Sequence, residues 1–141
     1  MKINELFETE LNFEITGIVD DSRDVKDGYL FVATKGFNVD HYDYIDMAIR
    51  NGAICVVADR EVNCSVPVFY VDDINNYYVL LCKKFNNILD NDFDYIGVTG
   101  TDGKTTSTSI INQILSKHQK CALIGTNGMF IGDDKYNTSN T

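Results

Sequence analysis

Residues 95–106 read Tyr-Ile-Gly-Val-Thr-Gly-Thr-Asp-Gly-Lys-Thr-Thr, an apolar run that opens into a glycine-rich turn and ends on Lys-Thr-Thr. Such a run is a buried strand feeding a helix, and the glycines let the backbone curl until several N–H groups converge on one point. That point attracts anions. The helix starting near Gly103 adds its unpaired N–H groups and the positive end of its dipole, and Lys104 adds a full charge. With the Thr105 hydroxyl set to ligate Mg²⁺, the stretch predicts a phosphate-binding loop for a nucleoside triphosphate. Its spacing is not the general one, since Val98 stands five residues before Gly103 and the nearer glycine is Gly100. A bare helix start would share the Gly-Lys-Thr-Thr but not the strand before it.

At 141 residues the chain can bury one core, or form one small domain plus part of another. A hydrophobic share of 44% belongs to a folded chain. The net charge of −9 argues against a nucleic-acid surface and leaves no basic stripe for a membrane. Any anionic substrate is therefore to be held locally, by loop N–H groups, a few cations and a metal. No segment has the length of a membrane span, and residues 1–11 are too acidic for a signal peptide, so the expected compartment is the cytoplasm. Cys55, Cys64, Cys82 and Cys121 lack metal-ligand spacing and are read as reduced residues. His41 and His118 are read as solvated, without the neighbours a metal site needs.

Along the chain, Ile3, Leu6 and Phe7 predict a short helix within residues 1–8, and residues 13–19 a strand ending in Asp20-Asp21-Ser22-Arg23. Residues 29–33 form a near-continuous apolar strand, followed by a loop and a helix through Ile45, Ala48 and Ile49 that closes at Asn51-Gly52. Two strands at 53–58 and 66–71 precede a helix capped by Asp72-Asp73 and running to about Leu89, with Ile74, Tyr78, Leu81 and Phe85 inward. The polar break at residues 90–92 marks the domain boundary, giving domains 1–91 and 92–141. Beyond it, strand 95–99, helix 103–118 with Ile110, Ile111, Ile114 and Leu115 buried, and strand 121–125 predict a right-handed parallel unit. The fold class is thus α/β: a small mixed N-terminal domain, then the first strand, loop, helix and strand of a parallel-sheet domain.

The loop at 97–106 resembles the Gly-Val-Thr-Gly-Thr-Asn-Gly-Lys-Thr-Thr of the Mur ligases, ATP-dependent amide-forming enzymes of peptidoglycan precursor synthesis, with Asp102 where Asn is usual. The first half extends the likeness. Asp21-Ser22-Arg23, Gly28 to Ala33, Gly36 with Asp40, and Ala48 with Gly52-Ala53 look like the N-terminal domain of the ligases that add the third residue of the stem peptide. Downstream, Ile124-Gly125-Thr126-Asn127-Gly128 and the final Asn140-Thr141 also resemble that family, in the right order. Where the family commonly has Gly-His after the aspartate, this chain has His41-Tyr42.

This resemblance implies ATP and Mg²⁺ as cofactors. Gly100, Thr101, Asp102, Gly103, Lys104, Thr105 and Thr106 would bind ATP, with Lys104 the catalytic cation and Thr105 the metal ligand. It implies UDP-N-acetylmuramoyl-dipeptide and a free amino acid as partners. Ser22, helped by Asp20 or Asp21, would bond the nucleotide-sugar, Phe37, Asn38 and Val39 would line the uridine end, and Asn140 and Thr141 would reach the muramoyl part. The implied reaction forms an acyl phosphate that an amine displaces. Further metal ligands and the amino-acid-binding domain come later in the family's chains, so this stretch alone is expected to be inactive. Two other readings stay open: a stand-alone nucleotide or UDP-sugar-binding module, and the N-terminal part of the ligase that adds D-Ala-D-Ala at the next step, whose loop usually reads Gly-Ser where this chain has Gly100-Thr101.

Overall fold

The computed structural model describes residues 1–35, 40–89 and 93–136. The chain divides into two compact units, Met1–Asp92 and Phe93–Thr141.

The first unit is built on four parallel strands, β1 (Gly17–Val19), β2 (Tyr29–Val32), β3 (Ala53–Ala58) and β4 (Val68–Tyr70), side by side in that order. Residues on a strand alternate between faces, and both faces here are covered, which is why β2 and β3 are apolar throughout. Leu30, Val32, Cys55 and Val57 pack on one side with Ile3 and Leu6 of α1 (Ile3–Leu6) and Ile74 and Leu81 of α3 (Ile74–Phe85). Phe31, Ala33, Ala53 and Val56 pack on the other with Ile45 and Ala48 of α2 (Ile45–Arg50). A 3-10 turn, His41–Tyr44, leads into α2. All elements expected in this half are present, several of them shorter.

Local chemistry sets the ends. Asp73 caps α3 by accepting the Asn76 N–H at 3.1 Å. The helix stops at Phe85 rather than near Leu89, because Asn87 takes a left-handed φ of 54° that ends the helical ladder. After α2, Gly52 adopts a φ of 114°, and its carbonyl accepts the Gly28 N–H at 3.0 Å. A Cβ at this glycine would lie 2.8 Å from the Asp27 backbone, so both conformation and space demand glycine.

The second unit holds α4 (Lys104–Leu115) and an antiparallel sheet of β5 (Ala122–Gly125), β6 (Gly128–Ile131) and β7 (Asp134–Tyr136). Gly132, with φ 60°, supplies the positive φ needed at the first position of the tight turn between β6 and β7. Three details depart from the expectation. Residues 95–99 form no ladder, and β5 pairs antiparallel with β6 instead of lying parallel to them. Ile110 and Ile114, expected inward, are 52% and 56% exposed, while Ile111 and Leu115 are half-buried. Residues 95–99 find no ladder partner among the described residues, and the small sheet beside α4 covers only the side of the helix that carries Ile111 and Leu115.

Candidate functional site

Two places carry the residues singled out above, one in each unit. In the second unit, Gly103 is the N-cap of α4 with a left-handed φ of 76°, and nothing lies within 4 Å of where its Cβ would sit. Gly100 has φ 152°. The first helical bond runs from Ser107 N to Gly103 O at 2.9 Å, so the N–H groups of Lys104, Thr105 and Thr106 have no partner within the helix. Lys104 folds back over the turn, its Nζ donating to the carbonyls of Gly100 and of Thr101, the latter at 3.2 Å. The Thr108 hydroxyl lies 3.0 Å from the Lys104 carbonyl and 3.1 Å from that of Thr105, bracing the first turn. Thr101, Asp102, Thr105 and Thr106 are exposed.

Open N–H donors at the positive end of a helix, an adjacent ammonium and an uncrowded glycine suit a polyphosphate, so the residues fit the triphosphate the sequence implied. The exposed Thr105 hydroxyl, one residue into the helix from Lys104, is free to meet a cation on that phosphate. A cavity of about 370 Å³ runs along the same helix face, past Lys104, Thr105, Thr108 and Asn112, to Asn127 and Phe130.

In the first unit, parallel strands send all their carboxyl ends to one edge, the edge where open α/β sheets bind ligands. Asp20 directly follows β1 and accepts a hydrogen bond from the Tyr78 hydroxyl of α3 at 3.4 Å. Burial, and then the charge of Asp20, push the Tyr78 phenol well above its usual range. Asp21 pairs with Arg23 through both carboxylate oxygens, Nε to Oδ1 at 2.9 Å and Nη2 to Oδ2 at 2.5 Å, and also accepts the Arg23 N–H at 2.9 Å. These bonds hold its carboxyl at about 2. Ser22 is buried, its hydroxyl donating to Met47 Sδ at 3.6 Å and its carbonyl accepting from Asn51 Nδ2 at 2.8 Å, so α2 fixes the turn.

The strand order brings the turn after β1 beside the segment after β2. Thr34 is buried, and its hydroxyl meets His41 Nδ1 at 2.9 Å while the His41 N–H donates to the Thr34 carbonyl at 3.1 Å. His41 is thus half-buried and hydrogen-bonded rather than simply solvated. Tyr42 donates through its hydroxyl to Asp59 Oδ1 at 2.6 Å and accepts the Asp59 N–H at 2.8 Å. Burial, and then that carboxylate, raise the Tyr42 phenol. Arg60 lies over the Tyr42 ring at 3.7 Å and pairs with Asp40 at 2.6 Å, which lowers the Asp40 carboxyl.

Asp20 and Ser22 are therefore grouped at this edge, and Gly100 to Thr106 are grouped around the start of α4. Phe37, Asn38, Val39, Asn140 and Thr141 lie outside the described residues. Reading the sequence missed the Thr34–His41 contact and the Tyr42, Asp59 and Arg60 cluster. Their one available signal was position: Thr34, Asp59 and Arg60 lie within about two residues of the carboxyl end of β2 or β3, and His41 and Tyr42 lie farther along the connection that leaves β2. The four cysteines are free thiols, and burial pushes Cys55 to about 12. Among the described residues no group of His, Cys, Asp and Glu is arranged to hold a metal ion, and no helix is long and apolar enough to cross a membrane.

Two family descriptions match the chain. Residues 14–86 match the family described as Mur ligase family, catalytic domain, and residues 98–141 match the Mur ligase middle domain. The UDP-N-acetylmuramoyl-L-alanyl-D-glutamate–2,6-diaminopimelate ligase of Bacillus cereus is 41% identical over 131 residues, 92% of this chain and 27% of that protein. The MurF ligase of Thermotoga maritima, solved in complex with ADP, shares 33% identity with a TM-score of 0.55 over 73% of this chain and 24% of its own. A solved UDP-N-acetylmuramoyl-L-alanyl-D-glutamate–2,6-diaminopimelate ligase shows the same fold, with a TM-score of 0.69 and 24% identity over 96% of this chain and 29% of its own. The chain spans about a quarter of the length of the relatives it matches. With one family description covering more than half of its residues and a second taking over at residue 98, the chain belongs to the Mur ligase family.

Proposed function

We propose that this chain forms the UDP-sugar-binding domain (residues 1–91) and the opening of the ATP-binding domain (residues 92–141) of a ligase that adds the third amino acid, lysine or diaminopimelate, to UDP-N-acetylmuramoyl-L-Ala-D-Glu in the cytoplasm. The observation that carries it is the 41% identity to a ligase of that name, running through both units over 92% of the chain.

The roles of the side chains follow from their chemistry. Lys104 and the N–H groups at the start of α4 would bind the phosphates of ATP, and Thr105 would ligate Mg²⁺ beside them. Bound there, ATP supplies the phosphoryl group that activates the substrate's terminal carboxylate as an acyl phosphate for attack by the incoming amine. To reach the phosphates, the Lys104 ammonium exchanges the carbonyls of Gly100 and Thr101 for phosphate oxygens, moving its charge to where negative charge develops. Asp20 and Ser22, with Phe37, Asn38 and Val39, would hold the nucleotide-sugar at the carboxyl edge of the first sheet, and Asn140 and Thr141 its muramoyl part. Uracil and a diphosphate are well served by amides, hydroxyls and N–H groups, which suits a chain of net charge −9.

Calorimetric titration with UDP-N-acetylmuramoyl-L-Ala-D-Glu tests the reading. One equivalent is expected to bind, Ser22→Ala weakens binding by about tenfold, on the scale of a lost hydrogen bond, and ATP with Mg²⁺ and amino acid yields no phosphate from the 141-residue chain. Phosphate release that depends on both substrates, or no binding of the nucleotide-sugar, contradicts it.

A further inference from the structure

Met47 lies on α2 with its sulfur against the turn that follows β1, where Sδ accepts a hydrogen bond from the Ser22 hydroxyl at 3.6 Å. One helical turn further on, Asn51 donates its N–H to the Met47 carbonyl at 3.0 Å and its Nδ2 to the Ser22 carbonyl at 2.8 Å. Ser22 is thus gripped through both side chain and backbone by two residues one turn apart on the same helix face.

The two ends of the sulfur contact differ in exposure. Ser22 is 5% exposed and Met47 37% exposed. On the same helix Ile45 and Ala48 are turned into the core. Of the other two methionines, Met1 packs against the core of the first unit and Met129 is half-buried. An accessible thioether is a target for peroxide, and the sulfoxide it forms is one that reductases can reverse. In that step a sulfur lone pair attacks one oxygen of hydrogen peroxide, and the O–O bond breaks as the S–O bond forms. The second oxygen leaves as hydroxide and takes up the proton left on the transferred oxygen, becoming water. Sulfur is oxidised by two electrons and peroxide is reduced.

The product is a different partner for Ser22. The side chain becomes polar, with a strong acceptor oxygen in place of a weak acceptor sulfur. The buried hydroxyl must turn to that oxygen or lose its acceptor, and a buried hydroxyl without a partner is costly. Either way the turn from Asp20 to Arg23 shifts against α2.

We infer that Met47 is an oxidation site whose sulfoxide resets the hydrogen bonding of Ser22 and so moves the turn at the carboxyl edge of the first sheet. The modification acts on that turn whichever ligand the edge takes.

The test is graded treatment of the whole chain with hydrogen peroxide, followed by dithiothreitol to return oxidised thiols to their reduced form. Peptide mass spectrometry then locates the sulfoxides, and amide NMR of the ¹⁵N-labelled chain reads the turn. Sulfoxide is expected to form several-fold faster at Met47 than at Met1 or Met129. Amide shifts at residues 20–23 are expected to grow with the Met47-oxidised fraction and to be absent from Met47→Leu treated in the same way. Oxidation of Met47 no faster than of the other two overturns the inference. So does complete Met47 oxidation that leaves residues 20–23 unmoved, or the same peroxide-induced shifts in Met47→Leu.

Discussion

Asp21 is held down to a carboxyl pKa of about 2, against 3.8 for the free side chain, chiefly by its hydrogen bonds to Arg23. A folded-state value below the unfolded one means that the pair contributes stability above about pH 4 and loses it as pH falls toward 2. Asp21→Asn removes the contribution at neutral pH and has nothing to lose in acid. The melting midpoints of wild type and variant are therefore expected to differ at pH 6 and to converge toward pH 2, the difference at pH 6 being small because Arg23 is largely exposed. A constant gap across that range would count against the pair. At this scale, contacts between close neighbours were legible: Asp21-Ser22-Arg23 stood out as a polar cluster, and Asn51-Gly52 as a helix end. The contact of Arg60 with Asp40 was not, because the two are 20 residues apart and only the register of β2 against β3 brings them together.

Among the elements, α3 shows how periodicity translates into energy. Leu81 is 2% exposed and packs in the cluster with Leu30, Val57 and Ile74, whereas its neighbour Leu80 is 59% exposed. Leu81→Ala is expected to destabilise the first unit by about 2–5 kcal/mol and Leu80→Ala by less than about 0.5 kcal/mol, as measured by urea unfolding. Equal effects would mean that the inward face has been misassigned. The helix, its Asp73 cap and the strands β2 and β3 were readable because their apolar patterns found partners within the chain. The same reasoning overreached on residues 95–99 and on Ile110 and Ile114. An apolar pattern states what a segment buries when a facing layer covers it, and among the described residues of the second unit the small sheet leaves Ile110 and Ile114 uncovered.

For the molecule as a whole, the two units differ in how finished their cores are. The first contains both clusters of buried residues, one on each face of its sheet, while α4 has no fully buried residue. The order of motifs made the family legible from sequence. The edge at which the first unit gathers Asp20, Ser22, Thr34 and His41 was not, since it depends on strand order. The central claim is that this edge, and not the phosphate loop, receives the nucleotide-sugar. An amide NMR titration of the ¹⁵N-labelled chain with UDP tests it most directly. Shifts are expected at residues 20–23, 34–35 and 40–44 and none at 100–106. Shifts confined to 100–106 would contradict the claim.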